Sequence, residues 1–369
     1  MKKFFAIFFA IILISNAASA ANWQPERRIG ILKGAKEVIL EMSKPCVMTD
    51  TETKEVIRQI DANRKFILNT SNLKNKSVDL RGEKVELKDM NVTINGKKYF
   101  GGVRIIKNSN SITVINLVPV EEYLRGVVPK EMSPSFEMEA LKAQAVAART
   151  FLLKNDKRHE SEGYDACTGT HCQVYEGVEV ANAKIDQAIK ETHGEVLYYK
   201  GTAILTTFHA DSGGMTVSGA EVWGTDTPYL QSVSEIQKQT QPWTKKIAKK
   251  IFAAQISEDF GELKKIELTK LVIGKDAVDR TNSGRVKFVN LVGNKTVKIT
   301  GDRLRAKFSL PSTLFDMKIE GDEVIITGFG SGHGVGMSQH GANNFAKSAA
   351  KYDKILLHYY KGAELKKLY

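Results

Sequence analysis

Cys167, His171 and Cys172 stand within six residues of one another. Two thiolates and an imidazole at that spacing can hold one zinc ion, with His159 or Asp165 as a fourth ligand. The spacing is not that of a common zinc finger, and in an oxidising compartment the same two thiols can close a small loop as a disulfide. Both readings stand on the residues alone. Three protein ligands with an open position would make a hydrolytic metal site, whereas four would make a structural one. Cys46 lies far from the pair, so the three cysteines form no evenly paired framework.

Glu131 is a second candidate. It sits among Val127, Val128, Pro129 and Met132, and partial desolvation there would raise its pKa toward that of a general acid. Residue identity alone favours the plainer reading, that a glutamate just ahead of a helix answers the helix dipole. The run His209-Ala-Asp-Ser-Gly-Gly214 holds the residue types of a catalytic triad, but residues this close in a loop rarely adopt triad geometry. It has no Gly-x-Ser-x-Gly elbow and reads better as a ligand-lining turn. Gly328 to Gly341 lacks the Gly-Lys-Ser/Thr ending of a phosphate loop. Its alternating glycines admit close backbone approach and leave His333, Ser338, Gln339 and His340 as its polar side chains.

These residues need elements to hold them. Val120, Tyr123, Leu124 and Val127 fall at i, i+3, i+4 and i+7, which predicts a short helix. A proline-flanked turn carrying Glu131 follows, and Ser133 as N-cap with Pro134 at the first helical position predicts a long helix beginning there. Leu141, Ala145, Ala148 and Leu152 form its apolar stripe, and Ala140, Ala143 and Ala147 allow close neighbours. Gln144 and Arg149 interrupt this small-residue surface and require polar partners.

Ahead of these helices, Val38–Leu40, Lys65–Leu68, Val85–Leu87 and Val92–Ile94 read as strands, and Asn95-Gly96 as a type I′ hairpin turn. Another hairpin is expected around Asn108–Asn110, and beyond the helices at Gly293-Asn294 and Gly321-Asp322. Uneven helices among hairpins argue against a doubly wound sheet. The expected class is α+β, with antiparallel strands and hairpins packed around a central alanine-rich helix.

Lys2-Lys3, the apolar run Phe4–Ile14 and Ala18-Ser-Ala20 match a secretory signal. Its removal would leave 349 of 369 residues and lower the formal charge from +12 to +10. The expected product is exported, to the periplasm or to the cell wall and exterior, with no later membrane span. Its basic charge suits a polyanionic wall. Three parts are expected: the signal over residues 1–20, a β-rich region over 21–117, and the functional region over 118–369.

Three segments together resemble the stage II sporulation protein D family, which includes the amidase-enhancer proteins of bacterial cell walls. They are Val120-Glu-Glu-Tyr-Leu-Arg-Gly-Val-Val-Pro-Lys-Glu-Met132 with Glu139-Ala-Leu-Lys-Ala-Gln-Ala-Val-Ala-Ala-Arg-Thr150, Thr170-His-Cys-Gln-Val-Tyr175, and Gly332-His-Gly-Val-Gly-Met-Ser-Gln-His-Gly-Ala342. The segment His209 to Thr216 with Trp223 and Pro228-Tyr-Leu230 also fits. The resemblance implies a peptidoglycan lytic transglycosylase in which Glu131 is the single acid/base, cutting between N-acetylmuramic acid and N-acetylglucosamine. It also implies zinc rather than a disulfide in the segment of Cys167, His171 and Cys172; a structural, loop-ordering role is expected for it, with His159 as the candidate fourth ligand. Gln144, Arg149, Tyr175, His209, Ser212, His333 and Gln339 are expected to line or support the cleft, with bracing of loops the alternative for Gln144 and Arg149. Glycan strands are the implied partner and nucleic acid is not. A non-catalytic activator of an N-acetylmuramoyl-L-alanine amidase is the alternative the family's second name suggests. A zinc amidase or peptidase ranks last, for want of a His-Glu-x-x-His helix.

Overall fold

Every residue of Ile112–Pro119 is buried, as in a strand covered on both faces. This strand lies inside a seven-stranded sheet in the order Ala166–Cys167, Glu26–Ala35, Ile112–Pro119, Gly102–Lys107, Ser77–Gly82, Cys46–Asp50, Val56–Ile60. All pairs are antiparallel except the first, where Gly30 meets Cys167 in parallel register. The structure, a computed structural model, describes residues 24–236 and 241–369. The expected signal lies outside them.

A four-stranded sheet in the order Lys65–Asn69, Glu37–Met42, Asn91–Ile94, Lys97–Phe100 completes the N-terminal β region. Its Asn95-Gly96 turn has positive φ at both residues, 48° and 86°, as a type I′ hairpin requires. The expected hairpins around 108–110, 293–294 and 321–322 also form. Val85–Leu87 does not form a strand. The chain turns there into a 3₁₀ helix, Leu87–Asp89.

The buried strand Ile112–Pro119 runs directly into helix α1, Val120–Glu131, so the boundary expected between residues 117 and 118 falls inside one hydrophobic core. Helix α2, Met138–Lys154, is the alanine-rich element, and Ala140, Ala143, Ala145, Ala147 and Ala148 are all fully buried. It packs against α1, helix α3 (Ala183–Glu191), the helices Gln339–Lys347 and Tyr352–Tyr359, and the strand Glu195–Tyr199. Small side chains permit so many close neighbours around one helix. The fold is α+β, organised around α2.

The turn between α1 and α2 differs from the sequence expectation at both ends. Helix α1 continues through Pro129 and ends on Glu131, while α2 starts at Met138 rather than Pro134. Ser133 caps only a local turn, accepting from the Ser135 N–H at 3.2 Å. The carbonyls of Pro134 and Phe136 accept from Lys184 Nζ of α3 at 2.9 and 2.6 Å, and the Glu137 N–H donates to Asn343 Oδ1 at 2.8 Å. Backbone groups that a longer α2 would use are thus committed to neighbouring elements.

Residues 243–328 gather a second core of their own, in which Phe252, Phe260, Leu291, Leu304, Phe315 and Ile326 meet. Two three-stranded antiparallel sheets frame it, Trp243–Ala248 with Glu323–Gly328 and Phe315–Glu320, and Lys265–Glu267 with Phe288–Val292 and Thr296–Thr300. Among the described residues, no helix is long and apolar enough to cross a membrane.

Candidate active site

Glu131 is the last residue of α1 and is half-buried. Burial raises its pKa above the ordinary carboxyl value, against weaker pulls from the Val174 backbone amide and the Gln339 side chain, which favour the charged form. Its position also reverses the dipole argument available from sequence. At the C-terminal end of α1 the peptide dipoles oppose a carboxylate charge rather than welcome it. Helix end and desolvation therefore act in the same direction, toward a carboxyl that holds its proton.

Behind Glu131 stands a line of amides. Gln339 donates from Nε2 to Gln144 Oε1 at 3.4 Å, and Gln144, fully buried on α2, finds no partner for its own Nε2. In front of it opens a cleft of about 380 Å³. One wall is the segment Thr170–Val174, and the other combines Thr207–His209, Gly332, His333 and Arg305. Among the lining residues Glu131 is the one carboxylate.

The two loop histidines meet in this cleft, their rings 5.4 Å apart. Parallel pairing of Phe208–His209 with Met337–Ser338 brings their loops together. His209 Nδ1 lies 3.2 Å from the Val335 carbonyl, so that nitrogen carries the hydrogen and Nε2, which has no partner, is an acceptor. Burial pushes the His209 pKa well below its ordinary value, with His333 and Arg285 adding to the effect. His333 is brought down to about 4 by burial and by Arg285 and Arg305. Both rings are neutral at pH 7.

Ser212 is not a nucleophile in this geometry. Its Oγ accepts from the Gly214 N–H at 3.0 Å and its carbonyl from Arg285 Nη2 at 2.9 Å, so it shapes the His209 loop from behind. Arg149 and Tyr175 are likewise placed away from the cleft lining. Arg149 is 0% exposed and makes a bidentate pair with Glu121, both bonds 2.7 Å, while also donating to the Glu195 and Ile189 carbonyls. The alternative of bracing describes its position. Tyr175 donates to Asn116 Oδ1 at 2.9 Å and packs where a Cβ on Gly126 would approach its ring to 2.4 Å. It fastens the end of the Thr170–Val174 wall to α1. Arg158, Arg305 and the buried Arg285 were not singled out from sequence. Each stands in an unremarked basic or loop stretch, and only tertiary packing brings it here.

His159, Cys167, His171 and Cys172 converge, with one ligand atom from each lying within 4.8 Å of all the others. Cys172 Sγ is 3.5 Å from His159 Nε2 and 3.7 Å from His171 Nδ1, spacings that suit tetrahedral zinc. Glu162 Oε1, 2.7 Å from His159 Nδ1, directs Nε2 inward. Asp165, the other sequence candidate, is instead committed to Arg28, whose Nη2 lies at 2.6 Å. Two thiols and two imidazoles form a closed set that fits a structural zinc, and both cysteines are free thiols.

A sequence profile described as "Stage II sporulation protein" matches residues 108–199, and one for a domain of unknown function matches residues 228–336. Stage II sporulation protein D of Bacillus subtilis is 34% identical over 271 residues, 67% of this chain and 74% of that one. The chain belongs to the stage II sporulation protein D family. An uncharacterised protein of Brachyspira hyodysenteriae is 36% identical over 279 residues, covering 74% of this chain and 73% of that one. The Amidase enhancer of Bacillus subtilis is 29% identical over 347 residues, 81% of this chain and 48% of that protein. Membership of the stage II sporulation protein D family carries a cell-wall-related role. Glu131, α2 and the four Cys/His residues all lie in the region matched by the family profile, whereas the second core lies in the other match.

Proposed function

We propose that this protein is a peptidoglycan lytic transglycosylase using Glu131 as its single acid and base. The observation that carries this reading is the half-buried carboxyl of raised pKa, alone of its kind in an open cleft. Protonated Glu131 donates to the oxygen joining muramic C1 to C4 of N-acetylglucosamine. As that C–O bond breaks, positive charge develops at C1. The resulting carboxylate takes the proton of the muramic C6 hydroxyl, whose oxygen bonds to C1 and closes a 1,6-anhydro ring. The proton returns to Glu131, so neither water nor a second carboxylate is consumed.

The zinc proposed for the Cys/His set serves the wall of the cleft. With four protein ligands it leaves no open position for hydrolysis, which disfavours a zinc amidase or peptidase. Purified glycan strands incubated with the protein should yield anhydro-muramic ends by mass spectrometry, and Glu131→Gln should reduce their release at least ~10³-fold without changing thermal stability. Products carrying added water would overturn the mechanism. The similarity to a protein named Amidase enhancer supports a second reading, a glycan-binding activator of an amidase. On that reading purified protein releases nothing, and Glu131→Gln still stimulates the amidase.

A further inference from the structure

Trp223 is 45% exposed, the one aromatic side chain among the large apolar groups that the described surface leaves open. Its ring centroid lies 5.7 Å from that of His333, which in turn lies 5.4 Å from His209. The two histidines line the cleft with Glu131, and Trp223, which is not among the lining residues, stands beside His333. We propose that Trp223 is a stacking platform for a sugar ring, forming a glycan subsite outside the cleft; this rests on the lytic reading above.

The mount is built to keep the indole in place. Trp223 ends a short helix, Gly219–Trp223, whose start is fixed by a capping box between Ser218 and Glu221. Glu221 Oε2 also accepts from Ser232 Oγ at 3.3 Å, and Gly224, with φ of 70°, closes the helix in the left-handed conformation. Val222 packs against the main core. An indole held half in water on so constrained a support offers an electron-rich face at little entropic cost, and the C–H face of a pyranose is its electrostatic complement. A cleft of about 380 Å³ accommodates only the sugars next to the cut bond, so a longer strand must leave it over one rim. The aromatic row marks that path.

Binding measured in a Glu131→Gln background, by co-sedimentation for long peptide-free glycan strands and by calorimetry for the muramic-containing disaccharide, tests the assignment. Trp223→Ala should weaken long-strand binding about tenfold and leave the disaccharide unchanged, with Trp223→Phe restoring most of the loss. In otherwise wild-type protein, Trp223→Ala should raise KM on long strands with kcat unchanged. Tryptophan fluorescence of unmutated protein should shift on adding long strands, and the shift should vanish in Trp223→Phe. Unchanged long-strand affinity, or equal loss for both ligands, overturns the proposal. Failure of the lytic reading gives a different pattern: no anhydro ends from unmutated protein, with the length-dependent effect of Trp223 intact.

Discussion

At the scale of residues, the protonation of Glu131 decides the chemistry. Burial and the C-terminal end of α1 hold its proton, while the Gln339 amide and the Val174 N–H favour losing it. The bond-breaking step needs the acid form, so kcat/KM should fall as pH rises through a pKa above the ordinary glutamate value. Gln339→Leu removes a group that favours the charged form, and the same alkaline limb should then lie at higher pH than in the unmutated protein. A pH–rate profile on glycan strands reads this directly, and a limb that moves down or stays put contradicts the assignment. The sequence showed Glu131 among apolar neighbours but placed it ahead of a helix start. That context favoured a surface carboxylate, because the dipole sign depends on which helix owns the residue.

At the scale of elements, α1 and α2 are locked by a buried ion pair that also reaches the end of the chain. Glu121 is held below the ordinary carboxyl range: burial raises its pKa, but the Arg149 guanidinium more than offsets this, with help from the Tyr369 hydroxyl. Removing one partner leaves an uncompensated charge in a buried site. Arg149→Met is therefore expected to cost about 3–5 kcal/mol by chemical denaturation. Adding Glu121→Leu should recover part of that loss, leaving a remainder of about 1–3 kcal/mol from the Glu195 and Ile189 carbonyls and the Tyr369 hydroxyl that lose their partners. If the two single losses simply add, the pair is not a unit. Alanine spacing made α2 legible as a central helix, and Arg149 legible as a residue needing a partner. Which carboxylate would meet it was not legible, since the pairing depends on how α1 folds back across α2.

At the scale of the whole molecule, the N-terminal sheet and the cleft share one loop system, and the proposed zinc stands at their junction. Strand Ala166–Cys167 adds to the seven-stranded sheet beside Gly30, Lys33 Nζ reaches Glu162 at 2.5 Å, and Glu162 orients His159. The same loop continues through His171 and Cys172 to Val174, whose amide faces Glu131. Short alternating runs announced the strands of the N-terminal region but not this bracing role, which requires contacts across more than a hundred residues. The second core was hidden for a similar reason, its short strands reading as isolated hairpins until Phe252, Leu291 and Phe315 are seen to meet. If zinc ties these parts together, purified protein should contain one zinc per chain. Chelation should lower Tm by roughly 5 °C or more, expose residues 156–172 to proteolysis and slow glycan cleavage, with zinc restoring all three. Cys172→Ser should behave as the chelated protein does. Metal-free protein with unchanged Tm and protease resistance would show that the four side chains hold the wall without an ion, and the Cys/His set would then be no structural centre.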